Sequence, residues 1–309
     1  VQLSDASPDQ FDDPPPPLPE QDAVVSRKDD IWLLGPHRAG VGDCLDPVFV
    51  DSVMHSELAR MSCIDPPYNV NVDGHVCGKG KVHHEEFAMA SGEMTEEEFI
   101  RFLLATFTIL SNTCTQGALH YIFMDWRHLY EALQAGREAF DTFINCCVWT
   151  KTNGGMGSLY RSQHEICLIF KTGSTRHINN VELGRHGRNR TNVWSYPGMN
   201  SFGAERKDLL SAHPTVKPVS MIADAIRDVT HHGDIVFDGF LGSGTTLLAA
   251  EKTHRVCYAI EIDPRYMDVA LRRWMNETGE MPVLESSGKS FEEVSAERLA
   301  GELKEESHA

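Results

Sequence analysis

Asp234 to Thr246, DIVFDGFLGSGTT, is the stretch that decides the fold. Its apolar start reads as a strand that stops at Asp238 and runs into a glycine-rich turn. The following TTLLAAEKT, Thr245 to Thr253, has helix-forming composition. A strand, tight turn and helix in this order aim backbone N–H groups at a ligand lying beyond the carboxyl end of the strand. Seventeen residues after Gly244, the strand-like run Val256 to Ile262 carries Glu261, near the position from which an acid grips a ribose diol.

The glycine spacing narrows the ligand. A phosphate-cradling loop needs G-x-x-x-x-G-K-[ST], and Gly239 to Thr246 matches except that Thr245 replaces the lysine, which disfavours ATP. The dinucleotide fingerprint G-x-G-x-x-G does not fit the order Gly239, Gly242, Gly244, which disfavours NAD. The remaining common ligand with a ribose and no phosphate is S-adenosylmethionine.

A second stretch, Met61 to Val70, MSCIDPPYNV, is a short apolar run ending in Asp65-Pro66-Pro67-Tyr68. Neither proline has an N–H, so Asp65 and the Pro66 carbonyl are offered as acceptors and Tyr68 as a flat apolar platform. Such a cluster suits an amino group on a planar ring. The bland alternative is a strand end with a proline turn.

Asp65-Pro66-Pro67-Tyr68, then His213-Pro214-Thr215-Val216-Lys217-Pro218, then Phe240-Leu241-Gly242-Ser243-Gly244 give the chain a strong resemblance to the amino-methylating DNA methyltransferases of β-type motif order. It covers about residues 30 to 279. It implies an α/β, Rossmann-like, S-adenosylmethionine-dependent methyltransferase, expected as a doubly wound, mostly parallel sheet with an antiparallel edge hairpin. In that family the G-D-x-L segment, here Gly42-Asp43-Cys44-Leu45, contributes an acid to the cofactor's adenine. The segment from His213 to Pro218 lies against the methionine end. The candidate cofactor contacts are Asp43, Cys44, Asp65, His213, Thr215, Lys217, Pro218, Asp238, Phe240, Gly242, Ser243, Gly244, Thr245, Thr246, Glu261 and Asp263. The candidate catalytic residues are Asp65, Pro66, Pro67 and Tyr68, and no metal is required.

Composition bounds the rest. The 309 residues, 41% hydrophobic, suffice for one large α/β domain or two small ones. No run of about 18 apolar residues and no charged-then-apolar leader is present, so neither membrane insertion nor secretion is supported. The eight cysteines, Cys44, Cys63, Cys77, Cys114, Cys146, Cys147, Cys167 and Cys257, never form C-x-x-C and read as buried, reduced thiols. His75, His83 and His84, in the long segment Asn69 to Met94, lack companions at metal spacing and read as solvated.

The net charge of −17 argues against a generic nucleic-acid binder, but its distribution is uneven. From Lys151 to Lys217 ten Lys or Arg face four acids, as suits a confined DNA groove. Gly173 to Ala212 interleaves basic residues with aromatics and is expected to be the target-recognition insertion. Arg176, Arg185, Arg188, Arg190 and Trp194 are its candidate DNA contacts. Its alternative is a plain surface insertion.

Residues 1–29 are acidic and proline-rich and are expected to be a disordered linker. Because family relatives are fused to an upstream ParB-like domain, an excised parent is expected, and a homodimer is a second partner expectation. The domain is expected over 30–279, with 280–309 an acidic tail in which Phe291 to Leu303 forms a helix that packs back or binds a partner. Within the domain we expect a hairpin over Ile31 to Leu45 and a helix from Thr95 to Leu110 with Glu98 at capping-box spacing. Strands are expected at Leu119 to Met124, Phe143 to Thr150 and Glu165 to Lys171, and helices at Leu129 to Ala135 and Val219 to Thr230. Asp125 reads as substrate contact or helix cap, and the glycine-rich turn Lys151 to Tyr160 as a wall of the base pocket.

The resulting expectation is a site-specific, base-flipping methyltransferase of restriction-modification type, acting on adenine N6 of double-stranded DNA in the bacterial cytoplasm. Cytosine N4 is the alternative target, because the chemistry is the same and the resembling cytosine enzymes more often carry serine where Asp65 stands. Methylation of a protein amide and a catalytically weak cofactor-sensing DNA-binding module are the other readings. The first would call for asparagine at position 65, and the intact Asp65 and glycines argue against the second.

Overall fold

The structure, a computed structural model, describes residues 15–69, 92–155, 159–185, 187–198 and 216–306. The strands are β1 (Ile31–Leu34), β2 (His37–Val41), β3 (Ala59–Ile64), β4 (Cys114–Met124), β5 (Thr142–Thr150), β6 (His164–Lys171), β7 (Val193–Ser195), β8 (Ile235–Asp238), β9 (Val256–Glu261), β10 (Val283–Leu284) and β11 (Lys289–Ser290). The helices are α1 (Pro47–Met54), α2 (Glu96–Thr113), α3 (Leu129–Ala139), α4 (Val219–Val229), α5 (Thr245–Lys252), α6 (Pro264–Thr278) and α7 (Phe291–Glu306).

All the strands join one sheet in the order β11-β10-β1-β2-β9-β8-β3-β4-β6-β5-β7. Its centre, β2-β9-β8-β3-β4, is parallel. These strands are almost wholly buried, as strands covered on both faces must be. Along β4, Leu119, Tyr121 and Phe123 enter one apolar cluster with the side chains of α4 to α7. Ala118, Ile122 and Met124 enter the other with α1, α2 and α3. Helices therefore cover both faces. The expected mostly parallel sheet is corrected to a mixed one: β11-β10-β1-β2 and β4-β6-β5 pair antiparallel, with β7 parallel at the far edge.

Local chemistry explains the helices that matter to the site. Thr95 accepts from the Glu98 backbone while Glu98 returns a bond to the Thr95 N–H, a complete capping box. From there Phe99, Phe102, Leu103, Phe107 and Leu110 recur at three and four residues and bury one stripe of α2. Asp125 accepts from the Arg127 N–H, so it caps the short turn leading to α3, the structural alternative of its two readings.

Three boundaries differ from the expectation. Val25 and Ser26, inside the expected linker, are buried, and their N–H groups donate to Asp268 at 2.7 and 2.9 Å. The expected acidic tail joins the sheet: β10 pairs with β1, Phe291 lies 5.4 Å from the buried Trp32 ring, and Arg298 donates to the Val25 carbonyl at 2.7 Å. Within the insertion, Val193–Ser195 extends the sheet as β7, a strand too short to show a period.

Candidate functional site

The parallel strands bring acids to one edge. β2 is followed by Asp43, β9 ends in Glu261, β8 in Asp238, and β3 and β4 are followed by Asp65 and Asp125. Because these five strands are neighbours and point the same way, residues far apart in sequence line one crevice.

On the β8–β9 side, Gly242 has φ +53, and among the described residues a Cβ there would meet nothing nearer than the Phe240 carbonyl at 4.0 Å, leaving open space in front of the turn. Its N–H donates to Glu261 Oε2 at 2.7 Å, and the Asp263 N–H donates to Oε1 at 2.9 Å. Glu261 is only 7% exposed, and burial pushes its carboxyl up to about 7 in spite of these donors. Burial does the same to Asp238, also raised to about 7, which accepts from the Phe240 N–H at 2.9 Å. Asp43 and Cys44 come in from β2: the Gly42 N–H bonds the Glu261 carbonyl, and Cys44 lies against Gly239, whose added Cβ would stand 3.2 Å from that of Cys44. Asp43, Cys44, Asp238, Phe240, Gly242 and Glu261 thus converge.

Other expected cofactor residues have structural duties. Gly244, at φ +90, lets α5 approach α6, because a Cβ there would stand 2.9 Å from that of Ala270. The Ser243 carbonyl accepts from Arg273, and Asp263 caps α6 by accepting from the Arg265 N–H. Thr245 and Thr246 are buried in the first turn of α5, and Pro218 is the N-cap residue of α4. His213 and Thr215 lie outside the described residues, as do His75, His83, His84 and Cys77.

At the end of β3 a second cluster forms. Tyr68 donates its hydroxyl to Asp65 Oδ1, and Lys217 donates to Asp65 Oδ2 at 2.5 Å. Lys217 also lies 3.1 Å from Glu165 Oε2, while Lys151 holds Glu165 Oε1. Lys217 is 5% exposed, and its ammonium sits over the Tyr68 and Phe123 rings, 5.6 and 5.3 Å from their centroids. Burial raises Asp65 above the usual carboxylate range against the pull of Lys217. Burial also acts on Glu165, but Lys217 and Lys151 outweigh it and hold that carboxyl at about 2. Asn69, at φ +52, accepts from the Gly92 and Met94 N–H groups and donates to the Met94 carbonyl, tying the proline turn to the approach to α2.

Glu165 and Asn69 were not among the expected site residues, and Lys151 was expected only as the start of the turn walling the base pocket. β6 runs antiparallel to β4, so its first residues stand beside the carboxyl end of β4, and only the pairing reveals this. For Asn69 the one local signal is its place directly after the proline pair and Tyr68.

The expected DNA contacts divide. Arg188 and Arg190 have partners within the protein: both donate to Asp224 and Asp228 on α4, Arg190 also donates to the Tyr196 hydroxyl at 2.7 Å, and its guanidinium lies over the Trp194 ring. Trp194 is 5% exposed and packs in the core. These three side chains clamp the insertion to α4, because buried acids demand paired cations. Arg176 and Arg185 remain outside, 82% and 77% exposed, each reaching Glu182.

Comparison with known proteins places this arrangement. M.HpaI, a Type II methyltransferase of Haemophilus parainfluenzae, is 26% identical over 223 residues, 68% of this chain and 66% of that one. The chain therefore spans just under two thirds of that relative. In fold it is similar to the M1.HpyAVI–SAM complex, with a TM-score of 0.56 and 18% identity over 76% of this chain and 97% of that one. It is also similar to the cytosine-N4-specific PvuII DNA methyltransferase, with a TM-score of 0.60 and 14% identity over 94% and 97%. The family model described as DNA methylase, for the N6 and N4 amino-methyltransferases, matches residues 59–272, and the chain belongs to that family.

Proposed function

We propose that this chain transfers a methyl group from S-adenosylmethionine to N6 of adenine in double-stranded DNA. The observation that carries the reading is that Asp65 and Tyr68 stand at the end of β3, beside β8 and its glycine turn, with Glu261 on the next strand. The residues present fit the cofactor: open space in front of Gly242, buried Glu261 as acceptor for ribose hydroxyls, Asp43 beside it, and Thr245 where a triphosphate site would need lysine. When bound, the cofactor supplies an electrophilic methyl carbon whose bond to sulfur breaks as the amine's lone pair forms the new bond.

The chain's own residues make the amine competent. An exocyclic N6 lone pair is delocalised into the ring, and acceptors on its hydrogens, Asp65 and the Pro66 carbonyl, localise it. Tyr68 offers its ring to the base, which must leave the duplex to reach this depth. The proton left on nitrogen has Asp65 as near acceptor, and a carboxylate whose pKa burial has raised is the better base. Arg176 and Arg185, exposed on the insertion, are the proposed phosphate contacts among the described residues.

Cytosine N4 is the second reading, favoured by the likeness to PvuII methyltransferase; Asp65 in the first motif position favours adenine. Sequencing DNA from cells expressing the chain decides between them. N6-methyladenine in a fixed context is expected, N4-methylcytosine alone would move the base assignment, and neither modification would overturn the reading.

A further inference from the structure

Both oxygens of Asp65 are engaged by the protein itself, Oδ1 by Tyr68 and Oδ2 by Lys217. Each oxygen keeps a further acceptor site, but an amine that donates to Oδ2 shares that oxygen with an ammonium and meets a weaker acceptor. Lys217 is the candidate to shift, because its backbone is fixed and its ammonium already bridges Asp65 and Glu165. The Lys217 carbonyl accepts from Thr245 at the start of α5, which holds the main chain, and Glu165 Oε2 lies 3.1 Å from Nζ. The ammonium lies against the Tyr68 and Phe123 rings, 5.6 and 5.3 Å from their centroids. Lys151 pins Glu165 by its other oxygen, so the acceptor stays while the cation shifts.

We propose that Glu165 is a positioning residue: it is the alternative counter-charge that draws Lys217 off Asp65, freeing Oδ2 for the amino group of the target base. The proposal rests on the methyltransferase reading above. A purely structural ion pair would account for burial of Lys217 and Glu165. It would not account for the third member, since Asp65 is the most exposed of the three at 27%, against 5% for Lys217 and 14% for Glu165. The pocket holds two carboxylates and two ammonium groups, so moving Lys217 between acceptors changes no net charge. Lys217 is faced from the β3 side by Cys63, Asp65 and Tyr68, from β6 by Glu165 and Cys167, from β5 by Lys151 and from β8 by Asp238.

The test is steady-state methylation of duplex DNA by wild type, Glu165→Gln, Lys217→Met and the double variant, with cofactor affinity measured by calorimetry as the control for folding. In Glu165→Gln the cation loses the counter-charge that draws it from Asp65 and competes with the amine. kcat at neutral pH should fall about 10- to 100-fold, with cofactor affinity within about twofold. The loss should shrink as pH rises, because Lys217 with one carboxylate fewer gives up its proton earlier and releases Asp65. In the Lys217→Met background, Glu165→Gln should change kcat by less than about threefold, since the ammonium that Glu165 shares with Asp65 is gone. A pH-independent loss in Glu165→Gln, or equal losses in both backgrounds, would overturn the proposal while leaving the methyltransferase reading intact. A wild-type chain that methylates no base would overturn both.

Discussion

On the proposed reading, Glu261 is the residue on which cofactor binding turns. Its carboxyl, raised to about 7 by burial, must be ionised to accept two ribose hydroxyls, so affinity for S-adenosylmethionine should tighten between pH 6 and 8. Stability runs the opposite way. The folded chain holds protons on Glu261 and Asp238 that the unfolded chain has released above their ordinary values of 4.5 and 3.8. That contribution is complete below pH 4 and is lost as pH rises to about 7. Calorimetry across this range checks the first statement, and Glu261→Ala should lose about 1 to 3 kcal/mol of binding. An affinity flat in pH and unmoved by the substitution would remove Glu261 from the site. The residue was legible in the sequence because strand, glycine turn, helix and strand fix its spacing. Glu165 was not, since an acid at the start of an antiparallel strand has no partner within reach of a local pattern.

At the scale of elements, the clamp between the insertion and α4 and the contact between α3 and β6 carry separate predictions. Arg190→Ala would leave Asp228, 6% exposed, with Arg188 as the cation still bonded to it. It should cost about 3 kcal/mol of stability, the lower end for breaking a buried pair, and leave the salt slope of DNA binding unchanged. A slope reduced by about one unit in a chain of undiminished stability would restore Arg190 as a phosphate contact. Gly136 sits where a Cβ would stand 2.2 Å from the Phe170 ring, itself fully buried and stacked on Phe140. Gly136→Ala should therefore destabilise the protein by about 1 to 3 kcal/mol even though alanine favours helix, as thermal unfolding can check. Sequence pattern found α2 because the Thr95 to Glu98 cap and the apolar stripe agree. It missed β7 because three residues cannot display a period.

For the molecule as a whole, the proposed catalytic motif follows β3 and the proposed cofactor residues lie at the ends of β8 and β9. The parallel order β9-β8-β3 turns this wide separation in sequence into adjacency. That much followed from motifs that end strands in acids and turns. The closure of the sheet by β10, β11 and α7 did not, because an acidic stretch reads as solvated until Phe291 and Val294 are seen to pack beside Trp32. The central claim is that this adjacency exists to methylate an amine held by Asp65. The most direct test is transfer of labelled methyl to duplex DNA by Asp65→Ala at saturating cofactor, with cofactor affinity measured alongside. The expected result is a rate lower by about 10² to 10³, the scale for a lost positioned hydrogen-bonding group, with affinity changed by no more than about twofold. Wild-type transfer by Asp65→Ala would contradict the account and reduce the proline motif to a turn.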